Sequence, residues 1–314
     1  MAHADWSIHS RKRWLACAQL RGGVYTASAP ENVVDAGSLL QRLRGEAPPG
    51  GPVVVGFDFP IGLPAAYARR AGITDYLAWL PMMGTGEWTR FHEVASRPEE
   101  LSLHRPFYPN TPGGTKLRFL LDALDLPTID DLRRVCERRH TLARAASPLF
   151  WTMGANQVGK AALSGWRDML MPALRTSAGH IAIWPFAGNL SALLTDARVV
   201  VVETYPGEMY HHLGVTWPHL GPGIPSGKRS QPARRRNAQA LLAWAMTREV
   251  SLAPALVAAI SDGFGAGPDG EDRFDAVVGL FGMLNVLLGH RALHEPADAI
   301  TQRVEGWIFG RAAG

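Results

Sequence analysis

The sequence predicts an α/β protein, a mixed β-sheet flanked by helices, with a helical insertion between its central strands. Two apolar runs carry the prediction. Pro52–Pro64 reads PVVVGFDFPIGLP, and Arg198–Pro206 reads RVVVVETYP. Each is a valine run with strong strand preference that stops at an acid followed by proline. A third observation is the long, nearly uncharged segment from Asp275 to Leu288, which reads as a core helix.

Taken in order, Asp5-Trp6-Ser7, Trp14–Ala18 and Val24–Thr26 predict two or three short strands around the Gly22-Gly23 turn, with Asp5 on the first. Val33, Val34, Leu39, Leu40 and Leu43 recur at helical spacing, so Glu31–Arg44 is expected to be a helix ending before Pro48–Gly51. The strand ending at Asp58 follows. From 65 to 179 the pattern is helical, broken by Pro- and Gly-rich loops, with the clearest helices over 130–146 and 158–174. Strand character returns at Ile181–Phe186 and at the second valine run. Short helices are expected over 206–213 and 238–248, with 221–227 and 262–270 as loops. No repeat of fixed period is present. The chain therefore reads as one domain over 1–314, with 65–179 inserted in it.

Composition narrows the class. Of 314 residues, 46% are hydrophobic and 19% charged, which excludes wholesale disorder. The apolar stretch 276–288 is shorter than the roughly 20 residues needed to span a bilayer, so no membrane association is expected. The first 20 residues show no apolar signal region. Two cysteines without CxxC spacing, Cys17 and Cys136, fit a reducing cytoplasm. A net charge of +4 favours an anionic partner without naming one.

Four acids sit at element ends: Asp5 on the first strand, Asp58 and Glu203 closing the valine strands, and Asp275 entering the apolar helix. Carboxylates gathered at one sheet edge repel one another and call for a divalent cation. Hard oxygen ligands favour Mg²⁺ or Mn²⁺, and a two-metal site suits attack of water on a phosphodiester. Each acid also has a plain alternative. Asp58 could bond turn amides near Pro60, Asp5 could be solvated, and Asp272 or Asp275 could cap a helix.

The strings GFDFPIGLP, VVVVETYPGEMYHHLG, DRFDAVVGLFGMLN and EGWIFG, in this order, resemble domain-of-unknown-function family 429, predicted nucleases with an RNase H-like fold. The resemblance covers nearly the whole chain and is least distinct in the insertion. It implies an RNase H-like sheet and metal-dependent cleavage of nucleic acid. It also implies that Asp5, Asp58, Glu203 and Asp275 are catalytic metal ligands with Asp272 auxiliary.

Other motifs compete. Gly154–Ala161 fits GxxxxGK but has Ala161 where a phosphate loop needs a hydroxyl for Mg²⁺, so a nucleotide-using phosphotransferase is the rival reading. Lys160 could still meet a phosphate. Lys228, Arg229 and Arg234–Arg236 could contact a nucleic-acid backbone or form a solvated helix face. His290 and His294, spaced i, i+4, read as a charge pair near a helix end, and His211 and His212 as structural. A third reading is a binding protein that retains the fold without the chemistry.

Overall fold

The computed structural model describes all residues except 49, 112, 140–144, 154–157, 177–178, 196–197, 219–225 and 313–314. Its strands are β1 (Ala2–Asp5), β2 (Trp14–Arg21), β3 (Val24–Ala27), β4 (Glu31–Asn32), β5 (Val53–Phe57), β6 (Ile181–Ile183), β7 (Val199–Glu203) and β8 (Ser251–Leu252). They form one mixed sheet of order β6-β7-β5-β1-β2-β3-β8, with β4 also pairing β2. Strands β1, β5, β6 and β7 are mutually parallel, and β2 runs antiparallel to β1 and β3. The C-terminal ends of β1, β5 and β7 therefore share one edge of the sheet.

Helix α1 (Leu39–Glu46) precedes β5. Between β5 and β6 lie α2 (Ala65–Arg70), α3 (Tyr76–Trp79), α4 (Leu117–Leu124), α5 (Val158–Gly165) and α6 (Met171–Thr176). A π-helical turn, Trp166–Leu170, fuses α5 to α6, so the helix expected over 158–174 is present. Next come α7 (Leu190–Leu193), α8 (Pro206–His212), α9 (Gln231–Arg236), α10 (Ala238–Thr247), α11 (Pro254–Ser261) and α12 (Gly270–Leu287).

Three expectations are corrected. Glu31–Arg44 is not one helix, because Glu31 and Asn32 pair with β2 and the helix starts only at Leu39. The segment from Asp130 forms short 3-10 turns, Ile129–Leu132 and Val135–Glu137, in place of a helix, and 140–144 lie outside the described residues. Asp131 and Glu137 bond back to the amides of Thr128 and Arg134, so each turn is closed locally. His290 and His294 lie beyond the end of α12. His290 faces Arg248 and His294 packs on Trp307, so no helix brings them together.

The alternation of side chains along a strand divides the core between the two faces. Ala2, Ala4, Val53, Val55, Phe57, Val199 and Val201 pack toward the inserted helices, among Phe59, Tyr76, Trp79 and Trp166. Val54, Val200 and Val202 face the other way, against Met283 of α12. Helix α12 is hydrophobic almost all round because it is buried between β1 and β2 on one side and α8 on the other.

Its approach to the sheet depends on glycine. A Cβ on Gly279 would lie 2.0 Å from the His3 ring, and one on Gly56 would lie 2.4 Å from Met283 Sδ. Small residues at these two points let helix and sheet backbones close together. Gly279→Ala is expected to cost about 2–3 kcal/mol in urea unfolding, the cost of overpacking a filled core. Gly45→Ala, in α1 with nothing within 4 Å of the added carbon, is expected to be neutral or slightly stabilising.

Candidate active site at the sheet edge

Ala4 of β1 is registered with Phe57 of β5, so the next residue of each strand, Asp5 and Asp58, emerges beside the other at the sheet edge. Both point to the face that carries His3 and Gly56, the face α12 covers. The first turns of α12 end over this same edge and contribute Asp272 and Asp275, which are i, i+3 neighbours. Residues separated by 270 positions in sequence thus meet in one acidic group.

Asp5 and Asp275 are buried, and Asp58 and Asp272 are partly exposed. The Trp6 N–H donates to Asp58 Oδ1 at 2.6 Å, and the Asp5 and Asp58 carboxyls are in hydrogen-bonding contact. Burial, reinforced by the charges of Asp58, Asp275 and Asp272, holds Asp5 well above the usual carboxylate range. Burial also pushes Asp58 up to about 7, opposed by its bond from Trp6. Asp272 is pushed up to about 6, again by burial first, and its Oδ2 is buried without a hydrogen-bond partner.

Asp275 is raised by burial and held down by two donors. The Tyr210 hydroxyl donates to Oδ1 at 2.5 Å, and Lys228 Nζ donates to Oδ2 at 2.5 Å. Lys228 also reaches Glu271 Oε1 at 3.1 Å. Burial works to lower the lysine, but these two carboxylates hold it above its ordinary range and keep it charged.

Behind the acids, His3 is fully buried and its burial pulls it down to about 3, so it is neutral. Its Nδ1 lies 3.0 Å from the Ala276 carbonyl, which can only accept. Nδ1 therefore carries the proton, and Nε2 accepts from the Thr204 hydroxyl at 2.8 Å. One ring ties β1, β7 and α12 together next to Asp5 and Asp275.

Glu203 does not join this group. It is registered with Phe57, one residue out of phase with Asp58, so its side chain leaves the opposite face of the sheet. There Arg134, fully buried, donates to Glu203 Oε1 and Oε2 at 2.5 and 2.6 Å. The Ile61 N–H adds a third bond to Glu203 at 2.7 Å, and Arg134 also binds Glu137 at 2.8 Å. Glu203 is thus the counter-ion of an arginine on the insertion, and its expected place among the metal ligands is corrected.

The basic residues divide similarly. Lys228 is at the acids and Arg229 pairs with Glu271 at 3.5 Å. Arg234 is 2% exposed and donates to the carbonyls of Lys228, Gly263 and Gly265, so it clamps loops and is closed to a nucleic-acid backbone. Arg235 pairs with Asp262. Lys160 lies in the first turn of α5 on the insertion, and Gly154–Gln157 of the rival phosphate loop lie outside the described residues.

Tyr210, Glu271, His3 and Arg134 went unread in the sequence. A signal existed for Glu271, which lies four residues before Asp275 and so on the same helix face, and for His3, two residues before Asp5 on one strand face. Tyr210 and Arg134 carried none.

Among the described residues, no three His, Cys, Asp or Glu side chains are arranged to hold a metal ion as they stand. The donors nevertheless suit a hard divalent cation. They are carboxylate oxygens, one of them is buried without a partner, and a cationic nitrogen is already seated among them. No family model, curated protein or solved structure matches the chain.

Two acids should respond oppositely to neutralisation. Burial raises Glu203 as it does Asp58, but Glu203 is ion-paired to a fully buried arginine, so Glu203→Gln is expected to lose about 3 kcal/mol in urea unfolding by leaving Arg134 with half its counter-charge. Asp58→Asn is expected to gain at least about 1 kcal/mol at pH 8. The native state binds the Asp58 proton more tightly than the unfolded chain, so the wild-type penalty appears as pH rises from about 4 to about 7. Thermal melts of wild type and Asp58→Asn across that window should converge at its acid end.

Proposed function

We propose that the chain is a metal-dependent phosphodiesterase acting on nucleic acid, an RNase H-like nuclease working in the cytoplasm. The observation that carries the reading is the convergence of Asp5, Asp58, Asp272 and Asp275 at the C-terminal edge of β1 and β5, beneath α12. The mixed sheet supports it, with an antiparallel β1–β2–β3 meander continued through parallel β5 and β7. Two free cysteines support a reducing compartment. No helix among the described residues is long and apolar enough to cross a membrane.

Asp5, Asp58 and Asp275 would hold Mg²⁺ or Mn²⁺, with Asp272 as an auxiliary. The ion supplies charge to polarise a phosphodiester and lower the pKa of an attacking water. The chain's own residues set the geometry. The Trp6 amide fixes the Asp58 carboxylate, and the Tyr210 hydroxyl fixes that of Asp275. His3, locked between Ala276 and Thr204, keeps the strand that carries Asp5 against the helix that carries Asp275. Lys228, whose side chain is 41% exposed, would be the cation offered to an entering phosphate.

Asp58→Asn and Asp275→Asn are each expected to lower Mg²⁺- or Mn²⁺-dependent cleavage of single- and double-stranded DNA and RNA at least about a hundred-fold. Circular dichroism should show both variants folded. Undiminished cleavage by either would remove that residue from the ligand set, and undiminished cleavage by both would overturn the reading.

A further inference from the structure

Buried carboxylates this close need a positive charge, and among the described residues the one cation hydrogen-bonded to the group is Lys228. Its ammonium has two seats. Asp275 Oδ2 is at 2.5 Å and Glu271 Oε1 at 3.1 Å, from side chains one turn apart on the same face of α12. Asp275 is buried, whereas the Glu271 side chain is 23% exposed, so one seat lies inside the acid group and the other at its rim.

The lysine is also held where it can do little else. Its carbonyl accepts from Arg234 at 2.5 Å, and Arg234 is in turn fixed by the carbonyls of Gly263 and Gly265, just before α12. The backbone of Lys228 is therefore tied to the base of the helix that carries both seats. Its flexible side chain is left free to swing between them.

We propose that Lys228 is a built-in counter-ion that occupies the cation position beside Asp275 and exchanges with an incoming divalent metal by moving onto Glu271. The inference rests on the metal-site reading above. A divalent ion bound to Asp275 cannot share Oδ2 with an ammonium 2.5 Å away, and the repulsion between the two cations acts over a few ångströms in a partly desolvated site. Glu271 offers the displaced ammonium a carboxylate it already touches, so exchange breaks one ion pair and keeps the other. This arrangement stabilises the acid group in the absence of metal and weakens divalent binding by competition. After exchange the ammonium stands at the rim, ready for a phosphate oxygen.

The test is the affinity of the full chain for Mn²⁺, measured by calorimetry at about pH 8.5, where protons compete least. Wild type is compared with Lys228→Met, Lys228→Gln and Glu271→Gln. Both Lys228 variants are expected to bind Mn²⁺ about ten-fold or more tightly than wild type, since the competing charge is gone. Glu271→Gln is expected to weaken binding when Lys228 is present and to have no effect in the Lys228→Met background. Lys228 variants that bind Mn²⁺ no more tightly than wild type, with the wild type binding, overturn the exchange and leave the metal site standing. Absence of Mn²⁺ binding at millimolar concentration in all variants overturns both.

Discussion

The molecule is organised by an electrostatic problem: two aspartates leave neighbouring parallel strands side by side, on a face that a buried helix then covers with further carboxylates. A charged carboxylate in that position loses its hydration, and each added negative charge raises the cost. The surrounding structure answers in three ways. Burial holds Asp5 and Asp58 above the usual carboxylate range and so favours their neutral forms, the Trp6 amide and Tyr210 hydroxyl donate hydrogen bonds, and Lys228 supplies a positive charge. The close packing of α12, made possible by Gly279 and Gly56, is what brings the acids near enough for the problem to arise.

Most of this edge was legible in the sequence. Valine runs that end in acid and proline marked β5 and β7, and the uncharged run after Asp275 marked α12, because buried strands and buried helices leave strong hydrophobic signals. Parallel pairing then placed the ends of β1, β5 and β7 together. Which face each acid occupies was not legible. That depends on a register difference of one residue between Asp58 and Glu203, and register comes from pairing across the sheet rather than from either strand alone. The stretch from Asp130 misled for a related reason. Its apolar spacing is helical, but the chain forms two separate 3-10 turns, each closed on itself by Asp131 or Glu137 bonding the amide that precedes it.

The opposite face shows how the same residue type serves a different end. Glu203 and Glu137 surround Arg134, whose guanidinium also bonds the carbonyls of Ile61 and Glu305. Glu305 in turn accepts from the amides of Ala65 and Val135. This buried network joins the end of β7, the start of the insertion, its 3-10 turns and the C-terminal segment. A buried pair of this kind adds little net stability over an apolar substitute but strongly penalises any arrangement in which one partner is missing. It therefore fixes how the insertion seats on the sheet, while the acids on the α12 face have Lys228 as their hydrogen-bonded cation.

The position of a bound divalent ion is the property to measure. Crystals soaked in Mn²⁺ and measured at the manganese absorption edge would locate it directly in an anomalous difference map. A peak among Asp5, Asp58 and Asp275, with the Lys228 ammonium withdrawn to Glu271, is the expected result. An empty map at that edge, or manganese at Glu203 on the opposite face, would contradict it.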